Sequence, residues 1–173
     1  MKLTKHDDNL YMITKSSMIN CYLVVEDDGV TLIDTLTSGT GRAILGVINQ
    51  MDRPLRRVMI THAHTDHAGS TDEILSANPN VEFLVQERSV PILSGDLSLQ
   101  RGEPRGRILK IAYGAVRSPA TGTFQDGDRI GSLIAIATPG HTAGHFAFFD
   151  ERNRTIIAVS NTHLTLPTIT SGG

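Results

Sequence analysis

The chain has 173 residues, of which 39% are hydrophobic and 20% are charged, a composition that favours one globular domain and excludes disordered, collagen-like and coiled-coil classes. Its net charge of −2 argues against a basic surface for nucleic acid or for an anionic membrane. Residues 1–8 contain no apolar run of the signal-peptide type, and no stretch approaches transmembrane length. We therefore expect a cytoplasmic protein without nucleic-acid or membrane partners; no oligomeric state is predicted.

The one cysteine of the chain, Cys21, begins an apolar run that extends to Val25. A single cysteine cannot form an internal disulfide, and a thiol in apolar surroundings is more often buried and inert than reactive. We interpret Cys21 as a structural residue.

The first half of the chain predicts strands followed by helices. Apolar runs indicate strands at 10–14, 20–26 and 30–34, with a hairpin turn at 27–29 between the last two. Apolar residues at helical spacing then predict an amphipathic helix that begins at Ser38 or Thr40 and ends at Met51, before Pro54.

A strand, a polar loop and a helix follow. Residues 57–61 read as a buried strand, and residues 70–73, with the sequence Ser-Thr-Asp-Glu, have the pattern of a capping box at the start of a helix that ends near Asn78. Residues 81–85 predict a further strand, and residues 86–93 a short helix that Pro91 interrupts.

The second half predicts strands alone. Residues 94–122 are interpreted as an irregular connection that borders the active site, and strands are expected at 123–124, 130–138, 145–149 and 154–159. Residues 160–173 are uncharged and turn-like, so we expect them to lie outside a folded domain of residues 1–159. Because a sheet needs a cover on its second face, the missing helices favour a domain truncated at its C-terminus over a domain that evolved to be minimal.

Four potential metal ligands follow the strand at 57–61 directly: His62, His64, Asp66 and His67. In an extended loop, residues i and i+2 point the same way, so His62 and His64 can bind one ion while Asp66 and His67 face a second. Imidazole nitrogen with a carboxylate suits zinc. The alternative interpretation is a solvated polar loop.

A fifth candidate, His141, follows Pro139 and Gly140 at the end of the strand at 130–138. Those two residues predict a sharp turn that directs His141 back over the sheet edge. Three histidines with an open fourth position would lower the pKa of a bound water toward ~7. The alternative is a strand-end histidine that is only hydrogen-bonded.

Other polar residues have supporting or surface roles in this interpretation. His145 is expected to hold its neighbours in place rather than to bind metal, and Asp34 either orients a ligand histidine or caps the next turn. His6 and His163 are expected on the surface.

Two segments resemble signatures of the metallo-β-lactamase superfamily. Residues 61–69 are similar to its THxHxDHxG motif and residues 138–142 to its TPGHT element, within a likeness that extends from about residue 9 to 159. The resemblance implies an α+β class αββα sandwich, here with its second half incomplete, and a hydroxide on the metal that attacks a carbonyl or a similar centre. It matches His62, His64 and His141 with the ligands of a first metal, and Asp66 and His67 with two ligands of a second metal; Asp66 is also expected to be catalytic.

The sequence departs from the family pattern after the last strand. Where the family has an Asp that bridges two metals, this chain has Asn161, a neutral and weak ligand, and the last histidine of the family has no counterpart. The resemblance therefore implies one zinc site and leaves the second in question, with iron or manganese as alternative metals.

The leading hypothesis is a zinc-dependent hydrolase of a small ester, thioester or lactone. The absence of a Cys after His141 argues against the β-lactamases that use a cysteine ligand. Alternatives are a nuclease of the same fold, an iron-dependent sulfur dioxygenase, and a catalytically inert fragment that binds metal.

Overall fold

A computed structural model describes residues 1–98, 100–101 and 113–159. Residues 99, 102–112 and 160–173 lie outside the described residues. Asn161, His163 and the predicted uncharged tail belong to the last of these ranges. The strands form two sheets that pack face to face, with helices against the outer face of the larger sheet.

The larger sheet contains seven strands in sequence order. The first four are antiparallel neighbours and the last three are added in parallel. The strands are β1 (Lys2–Lys5), β2 (Leu10–Lys15), β3 (Ile19–Glu26), β4 (Gly29–Ile33), β5 (Leu55–Met59), β6 (Glu82–Gln86) and β7 (Gly122–Phe124).

The smaller sheet is an antiparallel meander of four strands from the second half of the chain. Its strands are β8 (Arg129–Ile130), β9 (Leu133–Ala137), β10 (Phe146–Asp150) and β11 (Thr155–Ile157). The helices are α1 (Gly41–Asn49), α2 (Thr65–Ala68), α3 (Thr71–Ala77) and α4 (Ser89–Leu93).

Strand alternation divides the core into two layers, because successive side chains of a strand point to opposite faces. Leu23, Leu32 and Val58 pack in one buried cluster with residues of the helices, such as Ile44 and Ile74. Their neighbours in sequence, Val24, Ile33 and Met59, pack in a second cluster. Phe146 and Phe148 of the smaller sheet belong to the same cluster. The result is a helix layer, a sheet and a second sheet, in agreement with the expected α+β sandwich.

The outer face of the smaller sheet is apolar along one row, where Phe149 pairs with Ile134 on one side and with Ile156 on the other. Ile156 is 43% exposed. Within the described ranges no helix covers this row. In the same ranges no helix has the length and hydropathy that a bilayer-spanning segment needs.

Four sequence-based expectations need correction. One strand is expected at 130–138, but the structure divides this stretch into the antiparallel neighbours β8 and β9, because Gly131, with φ of 59°, turns the chain between them. Strand β1 was not predicted, since its short polar sequence has no apolar alternation. The motif was expected to be a loop, but its second half forms helix α2. Pro91 does not interrupt α4, because it is the third residue of that helix, where its missing N–H costs no intrahelical hydrogen bond.

The predicted capping box is also wrong. Ser70 is the N-cap of α3 but makes no capping side-chain hydrogen bond there. Its hydroxyl instead donates to the carbonyl oxygen of Thr37, and the carboxylate of Glu73 accepts from the backbone N–H groups of Gly39 and Gly41. Both side chains thus stabilise the start of α1 instead of the start of α3, because tertiary packing brings the two helices side by side.

Candidate metal centre

The candidate site lies where the two sheets meet at one edge. His62 and His64 follow β5, and His141 lies in the loop between β9 and β10. The backbone N–H of Phe146, the first residue of β10, donates to the carbonyl oxygen of Thr61 at 2.9 Å. This bond joins the smaller sheet to the chain just before His62, so two segments that are distant in sequence meet at the same place.

Three ring nitrogens of His62, His64 and His141 converge within 4.8 Å of one another. Nδ1 of His64 lies 3.1 Å from Nε2 of His62 and 3.0 Å from Nε2 of His141. One imidazole nitrogen has a single lone pair or a single proton, so it cannot form two good hydrogen bonds with these neighbours. Tetrahedral zinc with Zn–N bonds of about 2.0–2.1 Å separates its ligand nitrogens by roughly 3.3 Å, so the three residues fit a metal ion.

The ring of His62 is oriented by a buried hydrogen-bond chain. Its Nδ1 lies 3.1 Å from Oγ1 of Thr61, and that hydroxyl lies 2.8 Å from Oδ2 of Asp34. With the hydroxyl donating to the carboxylate, Nδ1 is the protonated nitrogen of His62. The lone pair is then on Nε2, the atom that faces His64.

His67 is tied to the same carboxylate. Its Nδ1 lies 2.8 Å from Oδ2 of Asp34, and its Nε2 lies 3.5 Å from Oδ2 of Asp66. The His67 ring is 4.2 Å from the ring of His62, between centroids. Asp66 and His67 thus face each other beside the three-nitrogen cluster.

Asp34 is fully buried directly after β4 and has a left-handed backbone with φ of 64°. This conformation is uncommon for a residue other than glycine and is tolerated best by Asp and Asn. Its Oδ1 also accepts the backbone N–H of Thr61 at 2.8 Å. Of the two roles that the sequence left open for Asp34, the contacts favour the orientation of histidine rings.

His145 and His141 differ in their surroundings. His145 is buried, with Nδ1 2.7 Å from the hydroxyl of Thr138 and Nε2 3.2 Å from the carbonyl oxygen of Val159. Both of its nitrogens are occupied, so it joins the β9–β10 loop to the segment that follows β11, whereas His141 is exposed at the open side of the cluster.

Burial and mutual repulsion keep most of the cluster neutral. Burial, assisted by the neighbouring histidines, lowers the pKa of His62 strongly and the pKa of His64 to about 4, and burial also lowers the pKa of His145. Burial acts to lower the pKa of His67 as well, but the Asp34 carboxylate outweighs it, so that pKa is raised. His62 and His64 therefore offer lone pairs at neutral pH, the state that a metal requires.

Gly69, the last residue of the motif, must be glycine for a steric reason. A Cβ at this position would collide with the carbonyl oxygen of Thr65 and would lie 2.5 Å from the backbone N of Ser38. Only glycine lets the end of α2 approach the loop after β4 this closely, so the glycine of the motif keeps His67 near Asp34.

Two residues of the site were not identified from the sequence. The sequence shows Thr61 only as part of the motif, and the link from its hydroxyl to Asp34 and His62 depends on tertiary contact. Tyr113, whose ring packs on His64 with 4.6 Å between centroids, lies in the segment 94–122, which the sequence presents as an irregular connection. Cys21, in contrast, is buried as expected, and burial raises the pKa of its thiol.

The comparisons with known proteins agree with this architecture. The family model of the metallo-beta-lactamase superfamily matches residues 15–158. YobT of Bacillus subtilis, an uncharacterized protein, is 41% identical over 140 residues, which are 81% of this chain and 60% of YobT. A hydroxyacylglutathione hydrolase of Hahella chejuensis is 28% identical over 65% of this chain and 35% of its own length.

A solved structure shows the same fold. BJP-1, a subclass B3 metallo-beta-lactamase of Bradyrhizobium japonicum, superposes with a TM-score of 0.66 at 26% identity, over 86% of this chain and 56% of BJP-1. The chain thus spans 60% of YobT, 56% of BJP-1 and 35% of the Hahella chejuensis hydrolase. The match of the family model, the sandwich of two sheets and the convergent histidines together establish that this chain belongs to the metallo-beta-lactamase superfamily.

Proposed function

We propose that the chain is the metal-binding part of a zinc-dependent hydrolase that acts on a small ester, thioester or lactone. The observation that supports this most directly is the convergence of one nitrogen each from His62, His64 and His141. Three imidazole nitrogens suit zinc more than magnesium or calcium, which prefer oxygen ligands. Zinc bound there would act as a Lewis acid and lower the pKa of a water ligand to about 7.

The side chains around the three histidines would have separate roles. Asp34 and Thr61 fix the tautomer and the orientation of His62, and Asp34 does the same for His67. Asp66, whose side chain is 43% exposed, faces both His67 and solvent. It is placed to bind a second cation with His67 or to accept a proton from water.

The substrate class rests on chemistry and on the relatives. The named activity of the Hahella chejuensis relative is the hydrolysis of a glutathione thioester, and the net charge of −2 does not favour a polyanionic substrate. A small carbonyl substrate is therefore preferred to nucleic acid.

The test is metal analysis combined with turnover. The purified chain should contain close to one zinc, and it should hydrolyse a thioester or a lactone more slowly than the median enzyme turnover of ~10 s⁻¹, since Asp66 is the one carboxylate at a matched ligand position. Asp66→Asn should abolish the turnover and leave the zinc of the three-histidine site in place.

Each alternative predicts a different result. Iron in place of zinc, with oxygen-dependent oxidation of a persulfide, would indicate the sulfur dioxygenase. One zinc with no turnover of any ester, thioester or lactone would indicate an inert metal-binding chain. A chain that binds no metal when all three histidines are intact would refute the proposal.

A further inference from the structure

His64 differs from its neighbours in what holds its ring. His62 is oriented by Thr61, and His67 by Asp34. The hydrogen bonds of the His64 side chain within the described residues all involve Nδ1, the nitrogen that faces His62 and His141. No polar group among the described residues fixes the other edge of the ring, so something else must select its rotamer.

Tyr113 is in position to do this. Its ring meets the ring of His64 at 64°, with 4.6 Å between the centroids, an edge-to-face geometry. The two residues are also joined through their backbones by an antiparallel bridge. The backbone bridge therefore keeps the two rings in contact.

The segment that holds Tyr113 is itself anchored on two sides. The backbone N–H of Val116 donates to the carbonyl oxygen of Leu93 at 2.9 Å. The carboxylate of Asp72 accepts the backbone N–H groups of Arg117 and Ser118 at 3.1 and 2.8 Å. These bonds tie residues 116–118 to α4 and to α3, so the position of Tyr113 is determined by the domain.

Gly114 permits the close approach. A Cβ at residue 114 would lie 2.8 Å from Cγ2 of Thr65, the residue after His64. Because threonine is branched at Cβ and stiff at χ1, that methyl group has little freedom to move away. Any larger residue at 114 would push Tyr113 off the histidine.

We propose that Tyr113 is a positioning residue for His64, which it orients by ring packing so that Nδ1 faces the metal, and that Gly114 is required for this contact. The proposal rests on the metal site of the proposed function. It assigns no role to the phenol hydroxyl, and it predicts that the shape of the ring is what matters.

The experiment uses cobalt(II) as the probe, because the intensity and the positions of its visible absorption bands report coordination geometry independently of activity. The full chain and four variants are titrated with cobalt(II), and each spectrum is recorded at saturation. The variants are Tyr113→Phe, Tyr113→Ala, Gly114→Ala and Gly46→Ala. Gly46 is the matched control, since a Cβ there, in α1, has nothing within 4 Å.

Tyr113→Phe and Gly46→Ala should bind cobalt(II) like the parent chain, with the same spectrum. Tyr113→Ala and Gly114→Ala should both bind it about 2- to 12-fold more weakly, the equivalent of one aromatic pair, and should share an altered spectrum. Gly114→Ala retains the tyrosine, so a shared change cannot come from the loss of the phenol. Urea unfolding of each variant identifies any that does not fold.

Three results would overturn the assignment. Parent-like affinity and spectrum in a folded Tyr113→Ala variant would remove Tyr113 from the site. A Phe variant that behaves like the Ala variant would assign the effect to the hydroxyl instead of to ring packing. Failure of the parent chain itself to bind cobalt(II) would overturn the metal site, and the proposed function with it.

Discussion

Asp34 connects the two groups of ligands at the level of single residues. One carboxylate accepts from His67 directly and reaches His62 through the hydroxyl of Thr61. Residues that hydrogen-bond to metal-binding histidines fix their tautomer and increase their basicity. Both candidate metal positions therefore depend on a side chain that neither metal would touch.

Replacing Asp34 with Asn should weaken both positions while preserving the backbone, because Asn also tolerates a left-handed φ. The amide offers one acceptor oxygen where the carboxylate has two, so one buried donor of Thr61 or His67 loses its partner. We expect a loss of about 1–3 kcal/mol in the free energy of unfolding and a 10- to 100-fold loss in zinc affinity. Urea denaturation and zinc titration measure the two effects.

Thr31→Val is a suitable control for that variant. Thr31 is also fully buried, and its hydroxyl has no hydrogen-bond partner in the described part of the chain. Its removal should be nearly neutral or slightly stabilising. Equal destabilisation by Asp34→Asn and Thr31→Val would show that the carboxylate network contributes nothing specific.

His141 provides a direct test of the three-nitrogen site. His141→Ala removes a first ligand, so zinc affinity should fall by at least the ~10- to 100-fold that losses beyond the ligands themselves cause. His6→Ala, at an exposed position between β1 and β2, should leave zinc affinity unchanged. Zinc content that is the same in both variants would remove His141 from the site.

At the level of elements, α3 stabilises the N-terminus of α1. Glu73, on α3, accepts the backbone N–H groups of Gly39 and Gly41 at 2.6 and 3.1 Å, although the sequence pattern assigned it to its own helix. A carboxylate at a helix N-terminus satisfies free N–H groups and interacts favourably with the helix dipole.

Glu73→Ala should therefore destabilise the chain through α1, by about 0.5–2 kcal/mol, the usual effect of a lost cap. Hydrogen exchange should show faster opening of α1 in this variant, while α3 keeps most of its protection. Glu87→Ala, at an exposed position outside the helices, is the control. Faster exchange confined to α3 would restore the capping-box interpretation.

At the level of the whole molecule, the buried histidines make the metal-free fold sensitive to acid. His64 has a pKa lowered to about 4, and the pKa of His62 is lowered further. The unfolded chain binds protons at these residues near pH 6.5, and the folded chain does not. Their contribution to stability is thus present above pH 6.5 and is lost as the pH falls toward 4; His67, with its raised pKa, acts in the opposite sense as the pH rises.

The free energy of unfolding of the metal-free chain should accordingly decrease between pH 6.5 and 4. His64→Gln should have a shallower slope in that interval, since one of the lowered groups is gone. Denaturant unfolding at several pH values in the presence of a chelator measures both curves. Parallel curves for the parent chain and His64→Gln would contradict the role of His64, and His6→Ala should reproduce the parent curve.

The sequence alone determined strands β9, β10 and β11 of the smaller sheet, the amphipathic helix α1 and the set of candidate ligands. Each is a local property: period-2 and period-3.6 patterns report one buried face, and the spacing of His62 and His64 places both on the same side of an extended loop. The predicted boundaries differ from the observed ones by a few residues, as at β5, because strand ends depend on pairing partners.

Tertiary structure decided how those pieces work together. Three contacts depend on the fold: Glu73 of α3 caps α1, Asp34 reaches His62 through Thr61, and Tyr113 packs on His64. Each joins residues that are near in space, and most of these residues are far apart in sequence. No local pattern specifies such contacts, because they arise from the packing of the two sheets and the helices. The ligands and Asp34 can thus be identified in the sequence, while the contacts that orient the ligands exist only in the folded chain.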